Sequence, residues 1–280
     1  MGTITDQLTE IYCFVDDFLK EHPRLENWRQ SHNCRPLLSD AEVITIGLMQ
    51  GCLGVATMKQ THELIAQNHR DAFPHLCCYT QWMNRLHSVS IQIGALLSST
   101  CGVAPDAESL YLVDSMPIPM CHPLRHGRVR LLREDGAWFG KTSKGWFFGF
   151  KLHVVCHVGG RVLNLILSPG NWSDRDPVLA LFDEISNAAI ALGDAAYSEA
   201  NCAEQLTGEE LDLLLISRQD ISKHWKYLHS QVRQRVETCF SLLWNRFIQR
   251  VFSRSWLGLW NTIQLKVLHY NLCNASLIQH

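Results

Sequence analysis

The chain opens on helical spacing. Leu8, Ile11, Tyr12, Val15, Phe18 and Leu19 recur three and four residues apart and mark one apolar stripe. Ser39-Asp40-Ala41-Glu42 reads as a capping box ahead of the apolar run from Val43, which starts a second helix. A third helix is predicted over Met58 to Gln67 and a fourth over Tyr79 to Leu97. Residues 101–109 form a small polar break, and beyond it the period falls to two. The runs 110–118, 147–158 and 161–168 are short and β-like, with Phe148, Phe150, Leu152, Val154 and Cys156 sharing one face. Pro169-Gly170-Asn171 closes the third run, and Asp174 is expected to cap a helix from about Pro177 to Ile185. A strand ending at Asp194, a helix from Ser198, a strand over Leu211–Ile216 and a long helix from near Lys223 follow. Three strands, then helix, strand, helix, strand and helix, predict an α/β domain with a mixed sheet flanked by helices over residues 101–280. An all-helical region over residues 1–100 precedes it. The last helix, about Asn261 to Leu277, is apolar enough to pack across the domain.

Three acids stand out against this pattern. Asp114 ends the apolar run Leu110-Tyr111-Leu112-Val113, and Asp194 ends Ala188-Ala189-Ile190-Ala191-Leu192 with only Gly193 between. In the long helix, Val232, Val236, Cys239, Phe240, Leu243 and Phe247 form the core stripe. Glu237 lies on the neighbouring stripe, at the border of the packed face. A carboxylate at the end of a buried strand is costly unless it is paired or bound to a cation. Three convergent carboxylates repel one another, and a divalent cation is the simplest way to hold them ionised.

Composition narrows the class without naming it. With 46% hydrophobic and 19% charged residues, the 280-residue chain has the make-up of a globular protein. No apolar stretch approaches the roughly 18 residues needed to span a bilayer, so no membrane role is expected. Asp6, Glu10, Asp16 and Asp17 argue against a secretory signal. Eleven cysteines without paired spacing suit a reducing, cytoplasmic setting. Cys121-His122 with His126, and His153 with Cys156 and His157, lack the two spaced ligand pairs of a structural zinc site.

Net charge is −2, yet the charges are unevenly placed. Residues 1–110 hold 7 Lys/Arg against 12 Asp/Glu, residues 122–151 hold 7 against 2, and residues 215–254 hold 8 against 2. The two basic segments flank the acids in sequence, where a phosphate backbone would lie. They make Arg125, Arg128, Arg130, Lys151, Lys223, Lys226, Arg233 and Arg235 the candidate DNA contacts. In the acidic first region, Lys59, His62, His69, Arg70 and Arg85 are a weaker DNA-reading set, set against a plain packing role.

Five short motifs then come in order. They are Val113-Asp114-Ser115-Met116-Pro117-Ile118-Pro119, Gly149-Phe150-Lys151-Leu152-His153, Ser168-Pro169-Gly170-Asn171-Trp172-Ser173-Asp174, Gly193-Asp194-Ala195-Ala196-Tyr197 and Val236-Glu237-Thr238-Cys239-Phe240-Ser241. In this order the chain resembles bacterial insertion-sequence DDE transposases over roughly residues 30 to 275. It looks most like the insertion sequence nine-eight-two family within the wider insertion-sequence-four-like group. The resemblance implies an RNase H-like catalytic domain with two Mg²⁺ ions, for which Mn²⁺ may substitute. Asp114 would bridge both ions, while Asp194 and Glu237 would each hold one. It also implies DNA as partner, both the element's terminal inverted repeats and the target. A homodimer or higher oligomer on DNA, in the bacterial cytoplasm and at the nucleoid when bound, is implied as well. The wider group carries a Tyr, an Arg, the Glu and a Lys along the last catalytic helix. Arg233 stands at the Arg place, whereas Ser230 and Trp244 occupy the Tyr and Lys places.

Two further readings remain open at this point. One is an RNase H-like nuclease that cuts DNA without joining it, and the other an inactive DNA-binding remnant. Asp174 and Asp176 read as a helix cap and its solvated neighbour rather than as ligands.

Overall fold

The computed structural model describes residues 3–26, 36–101, 110–128, 132–143, 145–157, 159–183, 189–193, 213–217, 241–243 and 253–274. The chain divides into two compact units. One comprises residues Met1–Thr100 and Arg246–His280, the other Cys101–Asn245.

The first unit is helical. Its described helices are α1 (Ile4–Glu21), α2 (Pro23–Glu26), α3 (Asp40–Leu53), α4 (Met58–Asn68), α5 (Tyr79–Ser88) and α6 (Ser90–Thr100). The predicted stripe on α1 buries Leu8, Ile11, Val15 and Leu19, with Tyr12 and Phe18 at its margins. Ser39 caps α3 as the sequence predicts: its hydroxyl accepts from Glu42 N, and Glu42 answers on Ser39 N. Thr3 and Thr57 build the same reciprocal cap on α1 and α4. The single helix expected over Tyr79–Leu97 is two helices broken at Val89. Ser88 and Ser90 flank that β-branched residue, and the Ser88 hydroxyl donates to Arg85 O, which competes with continuing the helix.

The helix that follows the sheet unit in sequence is described over Trp256–Asn274 and starts five residues before the predicted start; residues 275–277 of the predicted helix lie outside the described residues. We call it α8, counting α7 in the sheet unit below. The sequence reading assigned it to the 101–280 domain, but it packs with α3, α5 and α6. An element buried nearly all round, from Gly258 to Leu272, has no single apolar face from which to read its neighbour. Polar side chains fix it in place. Asn261 accepts from Ser90 Oγ and donates to Leu86 O, and Asn271 donates to Thr100 Oγ1. Gly51 lies so close to the His269 ring that a Cβ there would overlap it.

The second unit is built on a mixed six-stranded sheet with α7 (Val178–Phe182) on one face. Strands β1 (Leu110–Cys121), β3 (Gly145–His157) and β4 (Val162–Pro169) cover the three predicted runs. The sequence reading missed β2 (Trp138–Thr142), a short strand hidden in the basic segment that pairs with the start of β3. β5 (Ala189–Gly193) and β6 (Leu213–Ser217) complete the sheet. The order runs β2-β3-β1-β5-β6, with β4 also on β3. β1, β2, β3 and β4 pair antiparallel, whereas β5 runs parallel to β1 and β6 parallel to β5. The sheet is therefore mixed, as predicted. Tyr111, Val113, Val155 and Ala191 pack one face against Val178, Leu181 and Phe182 of α7. Gly149 sits so near Ile118 that any Cβ would strike the Ile118 carbonyl oxygen, which accounts for glycine at the start of that motif.

Candidate active site

β1 does not end at Asp114. It carries the aspartate in mid-strand, opposite Val154 of β3. Period-two alternation puts Asp114 on the same face as Leu112, Met116, Leu152 and Val154, away from α7. The half-buried carboxylate accepts from Ser115 N through Oδ1 at 2.7 Å. On the other edge of β1, the parallel register sets Leu110 against Ile190, Tyr111 against Ala191 and Leu112 against Leu192. β5 ends at Gly193, so Asp114 lies just past the carboxyl end of that pairing. β1 is also where the sheet's connections turn to opposite sides, towards β3 on one edge and β5 on the other. In open α/β sheets that place, outside the carboxyl ends of parallel strands, is where ligands bind.

Asp194 and Glu237 lie outside the described residues. Close by Glu237 in sequence, residues 241–243 are helical and Leu243 is buried, as its place on the core stripe requires. Among the described residues no group of three His, Cys, Asp or Glu side chains is placed to hold a metal ion.

Behind Asp114, on the α7 face, lies a polar network that the sequence reading assigned otherwise. Asp174 is not a helix cap: α7 starts after Pro177 with no side-chain cap bond. Its Oδ1 instead accepts from Ser115 Oγ at 2.8 Å and from Lys151 Nζ at 3.0 Å. Asp176 closes the turn by accepting from Ser173 N. Lys151 also donates to Trp172 O, and its side chain is only 11% exposed. A lysine so engaged holds β3 to the β4–α7 turn.

One residue along the same face, His153 is fully buried and its Nε2 hydrogen-bonds Ser168 Oγ at 2.8 Å, while Nδ1 has no partner. Burial pushes its pKa down to about 4, with Lys151 acting the same way and Asp174 and Asp176 opposing. Strand register brings this network together. Ser115, Lys151 and His153 are all odd-numbered residues of paired strands, and Ser115 and His153 are directly opposite.

Of the remaining DNA-contact candidates, Arg125 and Arg128 are exposed. Arg130, Lys223, Lys226, Arg233 and Arg235 lie outside the described residues. In the helical unit, His62 bonds Cys77 O, Arg70 donates to Leu76 O, and Arg85 pairs with Asp40 at 2.6 Å. Lys59 reaches Glu63 at 3.7 Å on the surface.

A family model described as the transposase DDE domain matches residues 105–249, more than half of the chain. This chain belongs to the DDE transposase family. The matched stretch contains Asp114, Asp194 and Glu237 and begins just before β1. No curated protein matches the chain. It is also similar to a piggyBac transposase solved by cryo-EM in a synaptic complex with hairpin DNA. That similarity is 10% identity over 97% of this chain and 73% of the other, with a TM-score of 0.44.

Proposed function

We propose that this DDE transposase cuts DNA at the ends of its element and joins them to a target, working in the bacterial cytoplasm as a dimer or higher assembly. Its motifs resemble those of the insertion sequence nine-eight-two family, and we assign the Cys101–Asn245 unit to the RNase H-like type. The observation that carries the reading is the register of β1 and β5. Leu112 pairs with Leu192, and these two lie two residues before Asp114 and Asp194 respectively. The family match over all three acids and the mixed sheet support it.

The donor set fits hard divalent cations, Mg²⁺ or Mn²⁺, because carboxylate oxygens are their preferred ligands. Asp114 fits such a role: a half-buried acid opposite buried Val154 is expensive without a counter-charge. Asp114, Asp194 and Glu237 would hold two ions, which when bound activate the attacking hydroxyl and stabilise the leaving 3′-oxygen. The chain's own part is to keep three carboxylates ionised and aimed together. Ser115 N donates to Oδ1 of Asp114 and so helps to orient its carboxylate. Retaining the freed 3′-end beside the same acids lets it attack a second phosphodiester, so no protein nucleophile is needed.

The test uses purified full chain, Mg²⁺, a pre-cut element end and a supercoiled plasmid. Joined products are expected, and they should disappear with Asp194→Asn. Efficient cutting with no joining in Mg²⁺ or Mn²⁺ would replace this reading by a nuclease.

A further inference from the structure

The β2–β3 hairpin carries a feature that strand cutting by three carboxylates does not use. The pairings Phe139↔Phe148 and Lys141↔Trp146 put these four side chains on one face. At its base the face is an ordinary aromatic layer. The His126 ring meets Phe139 edge-on at 4.6 Å, and Phe139 meets buried Phe148 edge-on at 5.4 Å. Towards the turn the layer runs out into solvent and ends in Trp146, which is 63% exposed. Lys141 Nζ stands 5.8 Å from the Trp146 ring.

Cations are tied to this layer. Arg133 donates to His126 O, and its guanidinium lies 5.9 Å from the Phe148 ring. Arg125 and Arg128 are exposed on the segment that leads to His126 and away from it. Glu134 and Asp135, both exposed, are the acids in the same stretch. An indole in solvent with an ammonium over it, on a layer whose base carries the Arg133 guanidinium, combines a π-face with positive charge. That pairing recognises single-stranded nucleic acid, because stacking needs the face of a base and a duplex covers its interior faces. Trp138, of opposite parity on β2, belongs to the other face of the hairpin.

We infer that Trp146 and Lys141 form a stacking site for an unpaired base of a DNA strand, with Arg125, Arg128 and Arg133 beside its phosphates. The inference rests on the proposed function in taking DNA as the partner.

Binding is measured on the full chain without divalent metal, by anisotropy of a labelled duplex carrying a single-stranded tail and of the same duplex blunt-ended. The tailed DNA should bind more tightly. Trp146→Ala should weaken the tailed complex by roughly 5- to 150-fold, the range for losing one stacked base. It should leave the blunt complex and the melting temperature unchanged. Trp146→Phe should keep most of the affinity, and Lys141→Ala should lower the salt dependence by about one phosphate. Equal loss on both DNAs, or no loss, overturns the inference. So does a change in oligomeric state with DNA binding intact, which would make the face a contact between copies of this chain. Failures separate cleanly. A wild-type protein that binds neither DNA sinks the transposase reading as well, whereas equal binding to both sinks only the stacking site.

Discussion

Asp40 and Asp114 are the same residue type doing opposite things. Asp40 opens α3 and pairs with Arg85 of α5 at 2.6 Å, an acid in a helix's first turn where the exposed N–H groups favour negative charge. Asp114 sits midway along a twelve-residue strand, where the backbone ladder calls for no carboxylate. The contrast extends to the units. In the helical unit the polar groups of Ser39, Thr57, His62, Trp82 and Asn261 complete caps or reach backbone carbonyls. In the sheet unit Asp114, Ser115, Lys151 and His153 occupy strand interiors. A polar residue at the end of an element has a structural explanation at hand. One in the middle of a strand asks for another.

If that distinction holds, the largest effect belongs to Asp114→Asn. The swap keeps the shape and removes the charge, so Mg²⁺-dependent cleavage of element-end DNA should fall below detection while the thermal melt is unchanged. Retained cleavage would show that mid-strand placement is no guide to chemistry here. A second test bears on His153. Its folded pKa near 4 lies below the ordinary 6.5, so the unfolded chain takes up the proton first. Stability should be full above pH 6.5 and fall as pH drops towards 4, on the order of 2–3 kcal/mol by pH 4.5. Urea unfolding at pH 7 and 4.5 measures it, and His153→Gln should flatten the wild-type difference.

How far these features were legible depends on where the polar groups sit. The Ser39 box, the α1 stripe and the alternation through Phe148, Phe150, Leu152 and Val154 are local periodicities, and the structure follows them. β2 was not legible because five residues within a basic segment give too little alternation to stand out. Asp174 was misread because an acid three residues before a proline imitates a cap. Its partners Ser115 and Lys151 are 59 and 23 residues away in sequence. Of the candidate site, Asp114 and its strand were legible, along with the parallel neighbour β5. The network behind it was not, because only register brings it together.

The smaller effects fall on the helical side. Asp40→Asn should cost about 1–3 kcal/mol by leaving the Arg85 guanidinium, with its side chain only 17% exposed, short of its charged partner. Cleavage measured below the midpoint of unfolding should be intact. Ser39→Ala should cost about 1 kcal/mol, the usual loss of a helix cap, read as a shift in the urea midpoint at constant slope. A cleavage defect in either variant at full folding would erase the contrast between the two acids.

The placement of α8 has a bearing on how the protein is made. Its partners α3, α5 and α6 emerge from the ribosome before the sheet unit Cys101–Asn245, and α8 emerges after it. At about 5–20 residues per second, the first helices wait on the order of ten seconds for the helix that covers them. During that interval the groove around Gly51, shaped to the His269 ring, is open. The helical unit therefore cannot finish folding in the order in which it is translated, and its assembly acts as a late checkpoint. A chain stopped within the sheet unit leaves the apolar surface that α8 covers exposed.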